Sequence, residues 1–196
     1  KFGHVTYFWN GNRSGKFDNE LEDYVEIPSD RVPFEQRPWM KAAEITDELI
    51  KRLLTGKYRF VRVNFANGDM VGHTGNFEAA VIAVQAVDIC LSRILPIIDR
   101  LEGMAIITAD HGNADEMYEV DTKTGKPKVG ADGKIKMKTS HTLNKVPCIF
   151  YDNHMRGKYS IVPGEYGLAN VAATAVNLMG YKAPTEWEKS MIKIND

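Results

Sequence analysis

The sequence predicts an α/β fold, and three observations carry that prediction. Residues 104–108, Met-Ala-Ile-Ile-Thr, are an apolar run bounded by Gly103 and Ala109-Asp110, as in a buried parallel strand. Residues 77–101 hold the longest pattern of apolar residues at helical spacing. Two acidic motifs, at Asp69 and Asp110, each follow a strand-like segment, and in open α/β sheets the ligand crevice lies beyond the carboxyl ends of the strands.

The elements follow in order along the chain. Residues 4–9 are β-branched and aromatic, which favours a strand, and Asn10-Gly-Asn-Arg-Ser-Gly15 then reads as a turn-rich loop. Residues 26–29 suggest a second short strand. Pro38 suits the first turn of a helix over residues 39–54, which stops at Gly56. Residues 58–66 alternate and then turn apolar, as a strand entering the core does, and end at Asn67-Gly68. Pro96 should end or kink the long helix near Leu95. Residues 119–138 shift to Lys, Gly, Thr and Asp and read as a solvated loop or hairpin in preference to an anion-binding patch. A strand over 146–151 and a small-residue helix over 168–179, ending at Gly180, complete the set.

At 196 residues the chain is long enough for one well-buried domain and marginal for two, so one domain is expected. A strand pattern at the first residue, with no initiator Met, leads us to expect the C-terminal piece of something longer. The composition, 43% hydrophobic and 26% charged with a net charge of -1, gives no general attraction to nucleic acid or anionic membrane. No apolar stretch is expected to reach the roughly 20 residues that span a bilayer, and the first residues do not resemble a secretory signal. Cys90 and Cys148 lie in apolar runs and read as buried free thiols, which suits a reducing, cytoplasmic setting.

Candidate chemistry is concentrated at Asp69, His73, Asp110, His111 and His141. Asp69 and His73 are four apart, so a helical turn would put both on one face and on one ion. Alone, such a pair is more often a capping Asp with an ordinary His. Gly68, Gly72 and Gly75 shift the balance, because they permit the close backbone approach that a compact site needs. Asp110 and His111 are sequential, so a sharp turn at Gly112 is needed for both to reach one ion; otherwise Asp110 would cap a following helix. His141, in Thr-Ser-His-Thr, is a polar-loop His with the same ambiguity. Taken together, Asp and His donors without thiolate suit divalent Mn²⁺, Zn²⁺, Co²⁺ and, less well, Mg²⁺. A pair of such ions can clamp a phosphoryl group during in-line transfer. His4 and His154 fall outside this constellation.

These residues resemble the cofactor-independent (2,3-bisphosphoglycerate-independent) phosphoglycerate mutases, within the alkaline phosphatase-like superfamily. The likeness runs through Lys1-Phe-Gly-His-Val-Thr-Tyr-Phe, Asn64-Phe-Ala-Asn-Gly-Asp-Met-Val-Gly-His-Thr-Gly, Thr108-Ala-Asp-His-Gly-Asn-Ala-Asp and Thr139-Ser-His-Thr-Leu. The loop at residues 10–15 and the helix near 168–179 resemble the plant and protozoan branch. The resemblance implies a three-layer sheet with helices on both faces. It implies that Asp69, His73 and His141 bind one ion, that Asp110 and His111 help bind the other, and that Lys1 touches the phosphoryl group or the nucleophile. It further implies two divalent ions, Mn²⁺ foremost, without 2,3-bisphosphoglycerate, and a monomer. The reaction implied is interconversion of 3-phosphoglycerate and 2-phosphoglycerate in glycolysis and gluconeogenesis, through a phosphoserine.

The family's nucleophilic Ser, one further ligand Asp and the inserted domain with its substrate arginines have no counterpart in this chain. Residues 1–196 are therefore expected to be the C-terminal part of a metal-binding phosphatase-like domain, inactive without its N-terminal segment. Two rivals differ in class. A phosphatase, phosphodiesterase or sulfatase of the same superfamily would share the ligands and hydrolyse its ester. A non-catalytic, metal-stabilised binding module would keep the ligands with no need for Lys1.

Overall fold

The computed structural model describes residues 1–195. Contacts divide the chain into two compact units, one of Lys1–Ile97 with His111–Lys145 and one of Ile98–Asp110 with Val146–Asp196. The first holds α1 (Phe2–Val5), a 3-10 turn at Phe34–Gln36, α2 (Ala42–Leu53), α3 (Asn67–Gly72) and most of α4 (Phe77–Arg100). Its core is Val71, Ala79, Ala80, Ala83 and Met117, with Phe34, Met40, Ala114 and Met137 packed against it. The small alanine face of α4 lets α3 and the segment after His111 come close, which is what the candidate site needs.

The α2 helix lies within the expected range. Glu44 stands in its first turn and Lys51 and Arg52 in its last, charges that suit the helix dipole, and Arg52 Nε donates to Glu48 Oε1 at 2.7 Å. The α4 helix departs from expectation by running through Pro96 as far as Arg100. Proline there removes one backbone donor, and a single turn remains beyond it, so the loss does not end the helix. Among the described residues α4 is also the one helix long and apolar enough, by length and composition, to cross a membrane, which corrects the expectation that no stretch approaches that length. Asp88 and Arg93 interrupt it, and Arg93 pairs with Asp47 at 2.5 Å.

Three expected strands do not form. Residues 4–9 overlap α1 and continue as turns, with Phe8 N–H donating to Gly3 O at 2.9 Å and Thr6 Oγ1 to Phe2 O at 2.9 Å. Residues 26–29 and 58–66 also lack strand pairing. Strand identity depends on a neighbour to complete the ladder, and these segments have none among the described residues. Phe60, Val61 and Val63 accordingly stay exposed. The segment is fixed instead by Arg62, whose Nε donates to Val5 O at 2.9 Å and whose guanidinium lies over the Trp9 ring. Residues 118–137 form a hairpin-like excursion with bridges Tyr118–Met137, Val120–Pro127 and Val129–Ile135, in keeping with the expected loop or hairpin.

The second unit contains β1 (Ala105–Thr108), β2 (Cys148–Tyr151), β3 (Tyr159–Ile161), α5 (Asn170–Leu178) and β4 (Ile192–Ile194). The β1 strand pairs antiparallel with β2, Ala105 opposite Tyr151 and Thr108 opposite Cys148, which corrects the parallel reading. No helix intervenes between these strands to make the crossover that parallel pairing requires. A second antiparallel pair joins β3 to β4. Tyr151 and Asn153 both donate to the Asp99 carboxylate, at 2.7 and 2.8 Å, and the tyrosine hydroxyl bond foremost holds that carboxyl below its ordinary value. Cys90 is buried and free as expected, whereas Cys148 is free but exposed, which corrects the expectation that it is buried.

Candidate metal centre

The first candidate ligand pair is set by α3. Asn67 opens the helix from a buried position and donates through Nδ2 to Pro38 O at 3.0 Å and to Trp39 O at 2.9 Å. One turn on, His73 N–H donates to Asp69 O at 3.0 Å, so the two side chains share a face as the spacing predicts. His73 Nε2 lies 3.1 Å from Asp69 Oδ1. Its Nδ1 is 2.6 Å from Thr139 O. A carbonyl only accepts, so Nδ1 donates to it, which turns Nε2 toward Asp69 and His141.

The remaining donors arrive on two loops. His141 Nε2 lies 3.0 Å from Asp69 Oδ1 and 3.0 Å from His73 Nε2. His111 Nε2 is 3.8 Å from the same carboxylate oxygen, with its ring stacked on His141 at 3.7 Å between centroids. Its Nδ1 faces Gly112 O at 3.3 Å, again leaving Nε2 toward the cluster. Ligand atoms of Asp69, His111 and His141 all lie within 4.8 Å of one another. Lys1 Nζ pairs with Asp69 Oδ2, so the cation expected at the phosphoryl group stands against the ligand carboxylate.

This donor set fits a divalent ion. One carboxylate and imidazole nitrogens converge without thiolate, and backbone carbonyls at Nδ1 turn the His73 and His111 rings so that Nε2 faces the cluster. Asp69, His73, His111, His141 and Lys1 are thus brought together within the first unit. Asp110 follows β1 in the second unit and caps no helix, since none follows before α5.

Two loop contacts complete the site. Thr142 N–H donates to Gly112 O at 2.9 Å, and the Thr142 hydroxyl donates to Asp115 Oδ2 at 3.0 Å, which registers the His111 loop on the His141 loop. Burial is the largest influence on the Asp115 carboxyl and pushes it up. Hydrogen bonds from Asn144 and Thr142 outweigh this, and the net shift is downward. Asn113 donates through Nδ2 to Asp69 Oδ1 at 3.1 Å. Asn67, Asn113, Asp115 and Thr142 are not marked by any ligand spacing, and their signal in the sequence is that of polar side chains flanking glycine within the motifs themselves. Of the three glycines singled out, Gly72 is pressed by Asn113 and Gly75 takes φ +72°, while Gly68 has open space around it.

A fold of helices and strands whose first unit gathers His nitrogens around one Asp carboxylate is that of a metal-binding α/β protein. The chain belongs to the Metalloenzyme superfamily, whose family description matches residues 1–183. More particularly, it is 48% identical over 198 residues to the 2,3-bisphosphoglycerate-independent phosphoglycerate mutase of Trypanosoma brucei brucei, covering 99% of this chain and 35% of that protein. It is likewise 48% identical to the enzyme of that name from Ricinus communis, covering 100% of this chain and 36% of the relative. Crystal structures of Leishmania mexicana phosphoglycerate mutase at low cobalt concentration superpose with a TM-score of 0.95 at 47% identity, over 100% of this chain and 36% of that one. The α/β class is shown by this likeness. The chain spans about a third of the length of these relatives.

Proposed function

We propose that this chain supplies the metal-ligand part of the active site of a cofactor-independent phosphoglycerate mutase, an isomerase interconverting 3-phosphoglycerate and 2-phosphoglycerate. Relatives of that name at 48% identity support the reading. The observation that carries it is Lys1 standing against Asp69 at the edge of the His donors, a fixed cation beside the carboxylate around which a phosphoryl group would be handled.

In this reading Asp69, His73 and His141 hold one divalent ion, and His111 with Asp110 contributes to the second. When bound, the ions stabilise charge on phosphoryl oxygens and lower the pKa of an attacking hydroxyl. The chain's own residues do the rest. Thr139 O and Gly112 O orient the His73 and His111 rings, and the Gly112–Thr142 bridge sets the spacing between His111 and His141. With the Asp69 carboxylate taken up in ligation, Lys1 would be released to face an anionic substrate. We infer Mn²⁺ as the resident ion from the resemblance to the family; the mixed oxygen and nitrogen donors also suit Co²⁺, Zn²⁺ and, less well, Mg²⁺. The nucleophilic serine and the substrate arginines belong, on this reading, to the remainder of a longer monomeric polypeptide. Free thiols at Cys90 and Cys148 support a cytoplasmic setting.

The test is isomerase activity of the full-length protein after chelation and readdition of Mn²⁺ or Co²⁺. Metal-restored interconversion of the two phosphoglycerates supports the proposal, with the 196-residue chain inactive alone. Rapid phosphate release from p-nitrophenyl phosphate without isomerisation would favour a hydrolase of the same superfamily.

A further inference from the structure

We propose that Asn113 is a positioning residue for the ligand carboxylate of Asp69, and that Gly72 is the clearance which lets it act. The inference deepens the metal-centre reading above and rests on it.

Asn113 is 4% exposed and sits two residues beyond His111, on the turn that brings that imidazole to the cluster. Its Nδ2 donates to Asp69 Oδ1 at 3.1 Å and approaches Asp69 O at 3.4 Å, so one amide spans the side chain and backbone of the same residue. Oδ1 is also the atom on which His73 and His141 converge, at 3.1 and 3.0 Å. A carboxylate only accepts, which fixes the amide with its NH₂ toward Asp69. The opposite atom, Asn113 Oδ1, is buried with no hydrogen-bond partner among the described residues.

That orphaned oxygen lies against Gly72. A Cβ at residue 72 would stand 2.3 Å from Asn113 Oδ1 and 2.9 Å from its Cγ. The amide therefore occupies the space a side chain would fill, and it leaves a buried oxygen unpaired, which is unfavourable, to make the bond to Asp69. A residue serving only to fill the core would do so better as an apolar side chain. An aspartate here would place a second anion against Asp69. The amide is the side chain that donates to the carboxylate and adds no charge. Since Asn113 moves with the His111 turn and Asp69 with α3, the bond fixes how far apart the two ligands stand.

The experiment is Mn²⁺ titration of the metal-free full-length protein, by calorimetry and by the electron paramagnetic resonance of free Mn²⁺, with apo-protein melting measured in parallel. Asn113→Ala is expected to weaken Mn²⁺ binding about 10- to 100-fold, the usual effect of removing a group that orients a ligand. Gly72→Ala is expected to weaken it as well, by forcing the amide aside. The double variant should bind no more weakly than Gly72→Ala alone and should melt higher than it, because the clash is gone. Equal affinity of wild type and Asn113→Ala, or additive losses in the double variant, would overturn the proposal. Wild-type protein that binds no Mn²⁺ would instead overturn the metal-centre reading on which it rests.

Discussion

Gly112 and Thr142 are locked face to face: Thr142 N–H donates to Gly112 O at 2.9 Å, and a Cβ on residue 112 would fall 2.1 Å from Thr142 Oγ1 and 2.6 Å from Asp115 Oδ1. The obstruction is backbone-adjacent and hydrogen-bonded, so it cannot swing away as the end of a long side chain would. Each residue adjoins a donor, Gly112 next to His111 and Thr142 next to His141. We predict that Gly112→Ala costs about 1–3 kcal/mol of stability, the range for inserting a methyl group into filled space. Mn²⁺ affinity should fall with it, since the imidazole spacing depends on this bridge. Denaturant unfolding of the apo protein and metal titration check the two parts. Unchanged values in both would show that the loops do not depend on each other.

Thr174 plays the corresponding structural part in the second unit. It is fully buried, its hydroxyl donates to Asn170 O at 2.7 Å and accepts from Met191 N–H at 2.9 Å, and it thereby ties α5 to the approach to β4. Thr174→Val keeps the shape and removes the oxygen. The Met191 N–H is then buried without an acceptor, and about 1–3 kcal/mol of stability should be lost. Urea unfolding reads this directly, and a loss below a few tenths of a kcal/mol would contradict it.

The Asp23 carboxyl is held from its usual 3.8 down to about 2, first by the Lys57 ammonium at 2.8 Å and then by the Tyr58 hydroxyl at 2.5 Å. The lowered folded value means that this group favours the folded state fully above pH 3.8, and that its contribution is lost as pH falls through about 2. Both side chains are solvent-facing, so the stability effect is small. The titration itself is the sharper observable. The Asp23 carboxyl carbon resonance should show its midpoint near 2, and Lys57→Met should move that midpoint upward toward 3.8. A midpoint that ignores the substitution would assign the shift elsewhere.

What was legible in the sequence follows from how local each signal is. The spacing of Asp69 and His73 is a property of one helical turn, and α3 delivers it without help from distant residues. The helices over 42–53 and 170–178 are likewise carried by local periodicity and fall inside their expected ranges. Strands were harder, because a strand exists only with a partner. Residues 58–66 have the composition of one and no neighbour among the described residues, and β1 finds an antiparallel partner from beyond the whole metal-loop segment. The roles of Asn113 and Thr142 were illegible for the same reason. Each acts on a residue tens of positions away, and no spacing in the sequence records that approach.

Lys1 gives the prediction that best separates mutase chemistry from a passive metal site. Its ammonium pairs with Asp69 Oδ2, the carboxylate that also faces His73 and His141. In the metal-free protein Lys1 and an incoming cation therefore compete for one anion, whereas in the working enzyme the same ammonium would face the phosphoryl group. Lys1→Met in the full-length protein removes the charge and keeps most of the bulk. Mn²⁺ affinity should stay level or rise, while kcat should fall about 10²–10³-fold, the scale for deleting one preorganised group that stabilises developing charge. A binding module would show the metal effect alone, and a ligand role for Lys1 would weaken Mn²⁺ binding instead. Metal titration beside steady-state isomerase kinetics distinguishes the three cases, and full activity of Lys1→Met would remove the strongest reason for reading the cluster as a phosphoryl-transfer site.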